Sequence, residues 1–349
     1  MLWRRNRFVV VLAALLCTAC SEPEKAAEEI PGRYYTGNFL GQPYAIDQIG
    51  DSVSYRKAID SLLHEVESAC NLSDPSSVLS LYNAHQEKSR AFVFYDSSGV
   101  FGAVYSLARD LNRSTRGIYD PTMNPIRKAW KERKAKGWKK GEPDLDELFR
   151  YTVFDGAKID LNELTNKDGY TYAGSLMRKA DPRIELDFTS LAGPYGMDRI
   201  ASLFLEKEVP QWKITFGRSV RVSGALPDSL GILPMGISGD ESDQRIRLAR
   251  GAYAYRNPLD KQDMIDPTYG YPPSSSNAVF TGVYAPTMAE ANIYAEAFMI
   301  MGFEDAANWI DDQPDGRIQT FMLLSRGGEI TSASTAGFDQ MLMLGEDEP

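Results

Sequence analysis

The stretch Arg183–Ala201, R-I-E-L-D-F-T-S-L-A-G-P-Y-G-M-D-R-I-A, constrains this chain more than any other. Ile184, Leu186 and Phe188 alternate with Glu185 and Asp187, the two-residue period of a strand, and the pattern breaks at Thr189 and Ser190 into small residues and a helical tail. A strand that runs into a helix leaves unpaired backbone N–H groups at the helix start. Together with the helix dipole these favour a phosphate or a carboxylate. Anion binding is one reading of the turn. In the other, Ser190 caps the helix and Gly193 and Gly196 permit close packing.

The N-terminus points to export. Arg4, Arg5 and Arg7 precede an apolar run from Phe8 to Leu16, too short for a stable membrane span, and Cys17-Thr18-Ala19-Cys20 follows. Residues 1–19 are therefore expected to be a lipoprotein signal peptide, with Cys20 lipidated after cleavage. Residues 20–33 form a polar, acidic tether, and 34–349 form one domain. The expected location is that of an exported bacterial lipoprotein, anchored to the membrane through its lipid and facing the periplasm or the cell exterior. Cleavage removes three arginines and no acid, taking the formal charge from −10 to −13. Such a chain is a poor partner for nucleic acid. It also keeps only Cys70 as a free thiol, so burial rather than a disulfide must hold the core.

Helical spacing recurs in Ile59, Leu62, Leu63, Val66 and Cys70, and again in Val100, Val104, Leu107, Ala108 and Leu111. Short strands are expected around Tyr44 and Ile46, Trp212–Phe216, Val220–Val222, Ile246–Leu248, Ala252–Ala254 and Val279–Tyr284. A helix from Pro286 to Gly302 is signalled at both ends, by a Thr287–Glu290 capping box and by a terminal glycine. Residues 127–140 carry eight basic side chains with Trp130 and Trp138 among them. Acidic residues follow at once, which reads as a solvated helix and loop near the mouth of a site. His64 and His85, the two histidines, have no motif around them that would support a triad or a histidine metal site.

Several of these segments resemble the FAD:protein FMN transferase (ApbE-like) family. Asp187, Ala192, Tyr195 and Asp198 stand where the family has L-D-L-G-G-I-A-K-G-Y-A-V-D. Gly117-Ile118-Tyr119-Asp120-Pro121-Thr122 resembles its G-A-F-D-P-T loop, and Ser77, Ser80 and Asn83 its S-x-x-S-x-x-N segment. Asp263–Pro272 resembles H-I-I-D-P-R-T-G-Y-P, and Ala285–Gly302 its metal-binding helix. The resemblance implies an α+β fold of mixed β-sheets covered by helices, the flavin transferase (ApbE-like) fold. It also implies FAD as substrate, Mg²⁺ as cofactor and a flavinylated acceptor protein as partner. Ile118, Tyr119, Asp120 and Asp187 would hold the flavin nucleotide, and Ser190 (through its carbonyl), Asn292 and Glu296 the metal.

Some positions depart from the family. Gly193 stands for a lysine, Arg218 for a glycine, Asp263 for a histidine, and Asn292 and Glu296 for an aspartate and a threonine. The family's Thr-Ser-Gly segment is reduced to Ala254-Tyr255-Arg256-Asn257. A lost cation and a gained anion repel a diphosphate, so weaker FAD affinity and turnover are expected. Three functions remain open: Mg-dependent transfer of FMN from FAD to a threonine of a partner, a non-catalytic flavin-binding or interaction lipoprotein of the same fold, and an FAD pyrophosphatase giving FMN and AMP.

Overall fold

The structure is a computed structural model that describes residues 32–87, 92–137, 141–152, 154, 159–165, 171–237, 244–261, 263–313 and 315–343. The expected signal peptide, Cys20, nearly all of the tether and Trp138 lie outside the described residues. No helix among those described is long and apolar enough to cross a membrane.

Among the described residues eight strands form the main sheet, and every pairing in it is antiparallel. Their order across the sheet is Gly32–Phe39, Gln42–Ile49, Gln211–Phe216, Ser219–Ser223, Arg250–Arg256, Ala278–Ala285, Gln319–Arg326 and Glu329–Ser334. The edge strand begins at Gly32, two residues ahead of the expected start. A two-residue turn at Leu40 and Gly41, both with positive φ, joins it to its neighbour.

Two helices lie side by side on one face of this sheet. Thr189–Glu206 packs against Gln211–Phe216, and Met288–Met301 packs against Arg250–Arg256 and Ala278–Ala285. The second helix is apolar nearly all round, as a helix enclosed by sheet and helices must be. It starts where its capping box specifies, with the Thr287 side chain accepting from Glu290 N. The other face of the sheet carries a second apolar cluster that includes Val220, Val222, Tyr253, Phe280 and Phe321.

The two-residue strand period decides which side chains reach the helices. Val220, Val222, Tyr253 and Tyr255 belong to the far face, while Ser219 and Arg221 contact residues of the helices, as does Arg256, which shares a face with Ala252 and Ala254.

The segment Ile184–Phe188 keeps its alternation, with Ile184, Leu186 and Phe188 fully buried, yet it belongs to no sheet. Its backbone is paired by other means. Asn83 Nδ2 donates to Leu186 O (2.8 Å), Leu186 N donates to Asn83 Oδ1 (2.8 Å), and Asp187 N donates to Pro121 O (2.7 Å). One asparagine thus does the work of a neighbouring strand. Lys179 braces that asparagine's helix end by donating to the carbonyls of Asn83 and His85.

Candidate functional site

The Gly117–Thr122 loop is folded on itself. Gly117 has φ +87 and donates to Asn112 O, while Asn112 Nδ2 donates to Tyr119 O (2.7 Å). Asp120 is buried, and its carboxylate accepts from Thr122 N (2.7 Å), Thr122 Oγ1 (2.6 Å) and Phe154 N (3.0 Å). Burial pushes its pKa up, and those hydrogen bonds pull it back. Asp120 therefore shapes the loop. Ile118 packs partly buried against the core.

Tyr119 differs from Asp120. It is 4% exposed and its hydroxyl has no hydrogen-bond partner among the described residues. Burial raises its pKa well above the ordinary value, and Asp187 and Glu296 raise it further, which places the phenol in the field of both carboxylates. A buried hydroxyl without a partner costs free energy, and a ligand atom can supply the partner.

Asp187 marks the start of the Thr189–Glu206 helix. Its carboxylate accepts from Thr189 N (2.8 Å) and pairs with Arg127 (3.2 Å). The anion favoured at this helix start is thus the chain's own Asp187. Ser190 does not cap the helix. It lies in the first turn, and Pro194, four residues on, has no N–H with which to close the helical bond to Ser190 O. That freed carbonyl accepts from Asn292 Nδ2 instead (2.7 Å).

Ser190, Asn292 and Glu296 do converge, but another residue stands among them. Arg256 Nη2 donates to Asn292 Oδ1 (2.9 Å) and lies 3.8 Å from a Glu296 carboxylate oxygen, and Ser219 Oγ donates to Asn292 Oδ1 (3.1 Å). Burial presses the Arg256 guanidinium below its ordinary pKa, opposed by Glu296. Mg²⁺ needs near-octahedral oxygen ligands. Here the carbonyl and the amide oxygen already accept from protein donors and a guanidinium faces the remaining carboxylate, so a Mg²⁺ on these three residues does not fit the arrangement. Among the described residues there is no cluster of three or more His, Cys, Asp or Glu able to hold a metal ion.

Beside Arg127 opens a cavity of about 1040 Å³. The helix Asn124–Ala135 lines one wall with Arg127, Lys128, Lys131 and Lys134, and Asp263 and Ile265 line another. The helix of the basic stretch thus lines this cavity, and of the site residues expected from the sequence Asp187 meets that wall through its pair with Arg127. Lys128 pairs with Glu185 (2.5 Å) and Lys134 with Asp263 (3.3 Å), whereas Lys131 has no carboxylate partner among the described residues. Trp130 Nε1 donates to Gly270 O (2.7 Å) and ties this wall to the Asp266–Tyr271 turn.

Residues 40–322 match the ApbE family. The chain belongs to that family. The FAD:protein FMN transferase of Haemophilus influenzae is 22% identical over 361 residues, covering 95% of this chain and 96% of the relative. That of Vibrio cholerae is 26% identical over 320 residues, covering 86% and 89%. Among solved structures, flavin transferase ApbE from Vibrio cholerae superposes with a TM-score of 0.69 at 20% identity, over 89% of this chain and 100% of the other. The apo flavinyl transferase ApbE of Pseudomonas stutzeri gives 0.68 at 16%, over 89% and 97%. The ApbE fold, sheets and helices together, is what this chain adopts.

Within that fold, two positions read as departures, Gly193 and Arg218, have local explanations. A Cβ on Gly193 would lie 2.4 Å from the Phe216 ring, so no lysine fits there while Phe216 keeps its place. Arg218 follows Gly217, which alone takes the positive φ of the turn, and it pairs with Asp260. Asp198 caps the neighbouring helix, accepting from Met288 N (2.8 Å) and Ala289 N (2.9 Å) while Arg221 pairs with it (2.5 Å). Sequence reasoning noted Arg256 only as part of a shortened segment. Its signal was strand parity with Ala252 and Ala254, the two residues that face the helices.

Proposed function

We propose that this protein acts on FAD and transfers FMN to a hydroxyl of a partner protein, a threonine by the family resemblance, as the named activity of its relatives implies. The observation that carries the reading is the cavity of about 1040 Å³ under the basic helix. Its volume is at the upper end for small-molecule sites, enough for a dinucleotide, and in an acidic chain it gathers Arg127, Lys128, Lys131 and Lys134 on one wall. In the transfer, the acceptor oxygen bonds to the FMN-side phosphorus and the bond to the bridging oxygen breaks. AMP departs with that electron pair, and the hydroxyl proton passes to water. Charge builds on phosphoryl and leaving oxygens, which fixed cations such as Arg127 and Lys131 stabilise.

A flavin binder without turnover is favoured by one observation, the corner filled by Arg256. By this reading the protein works outside the cytoplasm, tethered through Cys20, and mass spectrometry of the N-terminal peptide tests the lipid. The activity is tested by incubating the full-length protein with FAD and an acceptor of flavin while following AMP and covalent flavin. The expected result is AMP and acceptor-bound flavin in equal amounts. AMP with free FMN would make the protein a pyrophosphatase, and tight FAD binding with neither product would make it a binder.

A further inference from the structure

The corner at Ser190 holds a cation of its own. Arg256 comes from the last position of its strand and places its guanidinium between Asn292 and Glu296. The surrounding chemistry is matched to it. Pro194 frees the Ser190 carbonyl, which must then find a donor. Asn292 gives it Nδ2 and turns Oδ1 towards Arg256 and Ser219. An aspartate at 292 would set a carboxylate against that carbonyl, tolerable only with a cation between them. Formal charge agrees, with Glu296 and Arg256 cancelling and Asn292 neutral.

The guanidinium is not used up by these contacts. Among the described residues its hydrogen bonds come from Nη1, to Tyr255 O (2.9 Å), and from Nη2, to Asn292 Oδ1 (2.9 Å) and Asn292 O (3.4 Å). Its approach to Glu296, 3.8 Å, is too long for a hydrogen bond. Arginine has five N–H donors in a fork suited to phosphate oxygens, so some remain for a ligand.

We infer that Arg256 is a built-in cation that takes the place of a divalent metal in this corner, so that the protein binds the diphosphate of a dinucleotide without a metal ion. The identity of that dinucleotide rests on the FAD reading. The exclusion of the metal does not.

The two claims separate in one experiment on the full-length protein, stripped with EDTA and desalted. Mn²⁺ is titrated in and followed by electron paramagnetic resonance, and FAD binding is followed by flavin fluorescence in EDTA and in Mg²⁺. The expected results are no Mn²⁺ bound at the corner and an FAD dissociation constant that agrees within about twofold in the two buffers. Arg256→Gln should weaken FAD about tenfold or more in EDTA, the loss of a hydrogen bond to a charged group, and Arg256→Lys should weaken it less. One Mn²⁺ per chain, released in Glu296→Gln, would overturn the inference, as would FAD binding that collapses in EDTA. If FAD binds in neither buffer, the proposed function falls, and the Mn²⁺ titration alone decides the case for Arg256.

Discussion

Two buried arginines lie beside the Met288–Met301 helix, Arg221 through the Asp198 carboxylate at its first turn and Arg256 at Asn292 and Glu296, and the two are held very differently. Arg221 pairs with Asp198 at 2.5 Å, and the same carboxylate takes two N–H groups at the start of the second helix, so all parties there are matched. Arg256 stands 3.8 Å from Glu296, too far for a hydrogen bond. The first arrangement is what a structural clamp needs. The second leaves guanidinium N–H groups unengaged by the described residues. Burial does not separate the two pairs, because all four side chains are mostly buried. The closeness of the ion pair does.

The sharpest way to break this contrast is to remove a carboxylate from the clamp. Asp198→Ala leaves Arg221 buried without its partner and two helix N–H groups without an acceptor, and breaking such a pair costs about 3–5 kcal/mol. That is a large share of the stability of an ordinary domain. At the loose end, replacing both members together, Arg256→Met with Glu296→Leu, should change stability by less than about 1 kcal/mol, since apolar residues commonly replace a buried ion pair without loss. Urea unfolding of the two variants compares them directly. If the double variant loses as much as Asp198→Ala, the Arg256 corner is a second clamp and not a pocket.

The two helices were legible in the sequence to a degree that neither arginine was. The break of the alternation at Thr189 and Ser190 announces the first helix, and the Thr287–Glu290 capping box places the start of the second within a residue or two; these are local signals. Ile184, Leu186 and Phe188 announce an extended, half-buried segment, but alternation cannot tell who pairs with its backbone. The partner, Asn83, lies 103 positions away from Leu186 and acts through its side chain. The strands Phe92–Tyr95, Ile159–Thr165 and Thr171–Lys179 escaped notice because they are short or rich in polar and small residues. Arg256 escaped for a different reason. A strand-end arginine reads as solvated unless its parity with Ala252 and Ala254 is followed, and the packing of Arg250–Arg256 against the Met288–Met301 helix turns it inward.

A smaller effect probes how rigid the pocket end is around its backbone. Gly193 packs with its α-carbon against Phe216, whose ring contacts Phe39 at 6.0 Å between centroids. The methyl of Gly193→Ala would start 2.4 Å from that ring. Overpacking of this kind costs about 1–3 kcal/mol, and the added alanine helix propensity recovers up to about 1 kcal/mol. The expected outcome is a net loss seen in thermal unfolding and restored by adding Phe216→Leu. No loss at all would mean that the ring moves freely, and the looseness seen at Glu296 would then extend across the whole end of the helix.

A last test concerns a third buried cation, whose hydrogen bonds among the described residues all go to carbonyls. Lys179 donates to Asn83 O (3.1 Å), His85 O (3.1 Å) and Pro182 O (3.4 Å), and lies 4.6 Å from the centre of the Tyr82 ring. Without a carboxylate in contact, burial lowers its pKa to about 8, with Glu185 pulling weakly the other way. An unfolded lysine titrates near ~10.4. Below about 8 both states carry the proton, and the folded state bears the full cost of a buried charge. Between about 8 and ~10.4 the unfolded chain holds more protons, so this group makes stability rise with pH across that window. Lys179→Met should lack the rise, and subtracting its pH–stability curve from that of the parent protein isolates the effect from the tyrosines. A flat difference would show that the three carbonyls hold the charge as well as Asp198 holds Arg221. The rule separating clamp from pocket would then have to count carbonyls equally with carboxylates.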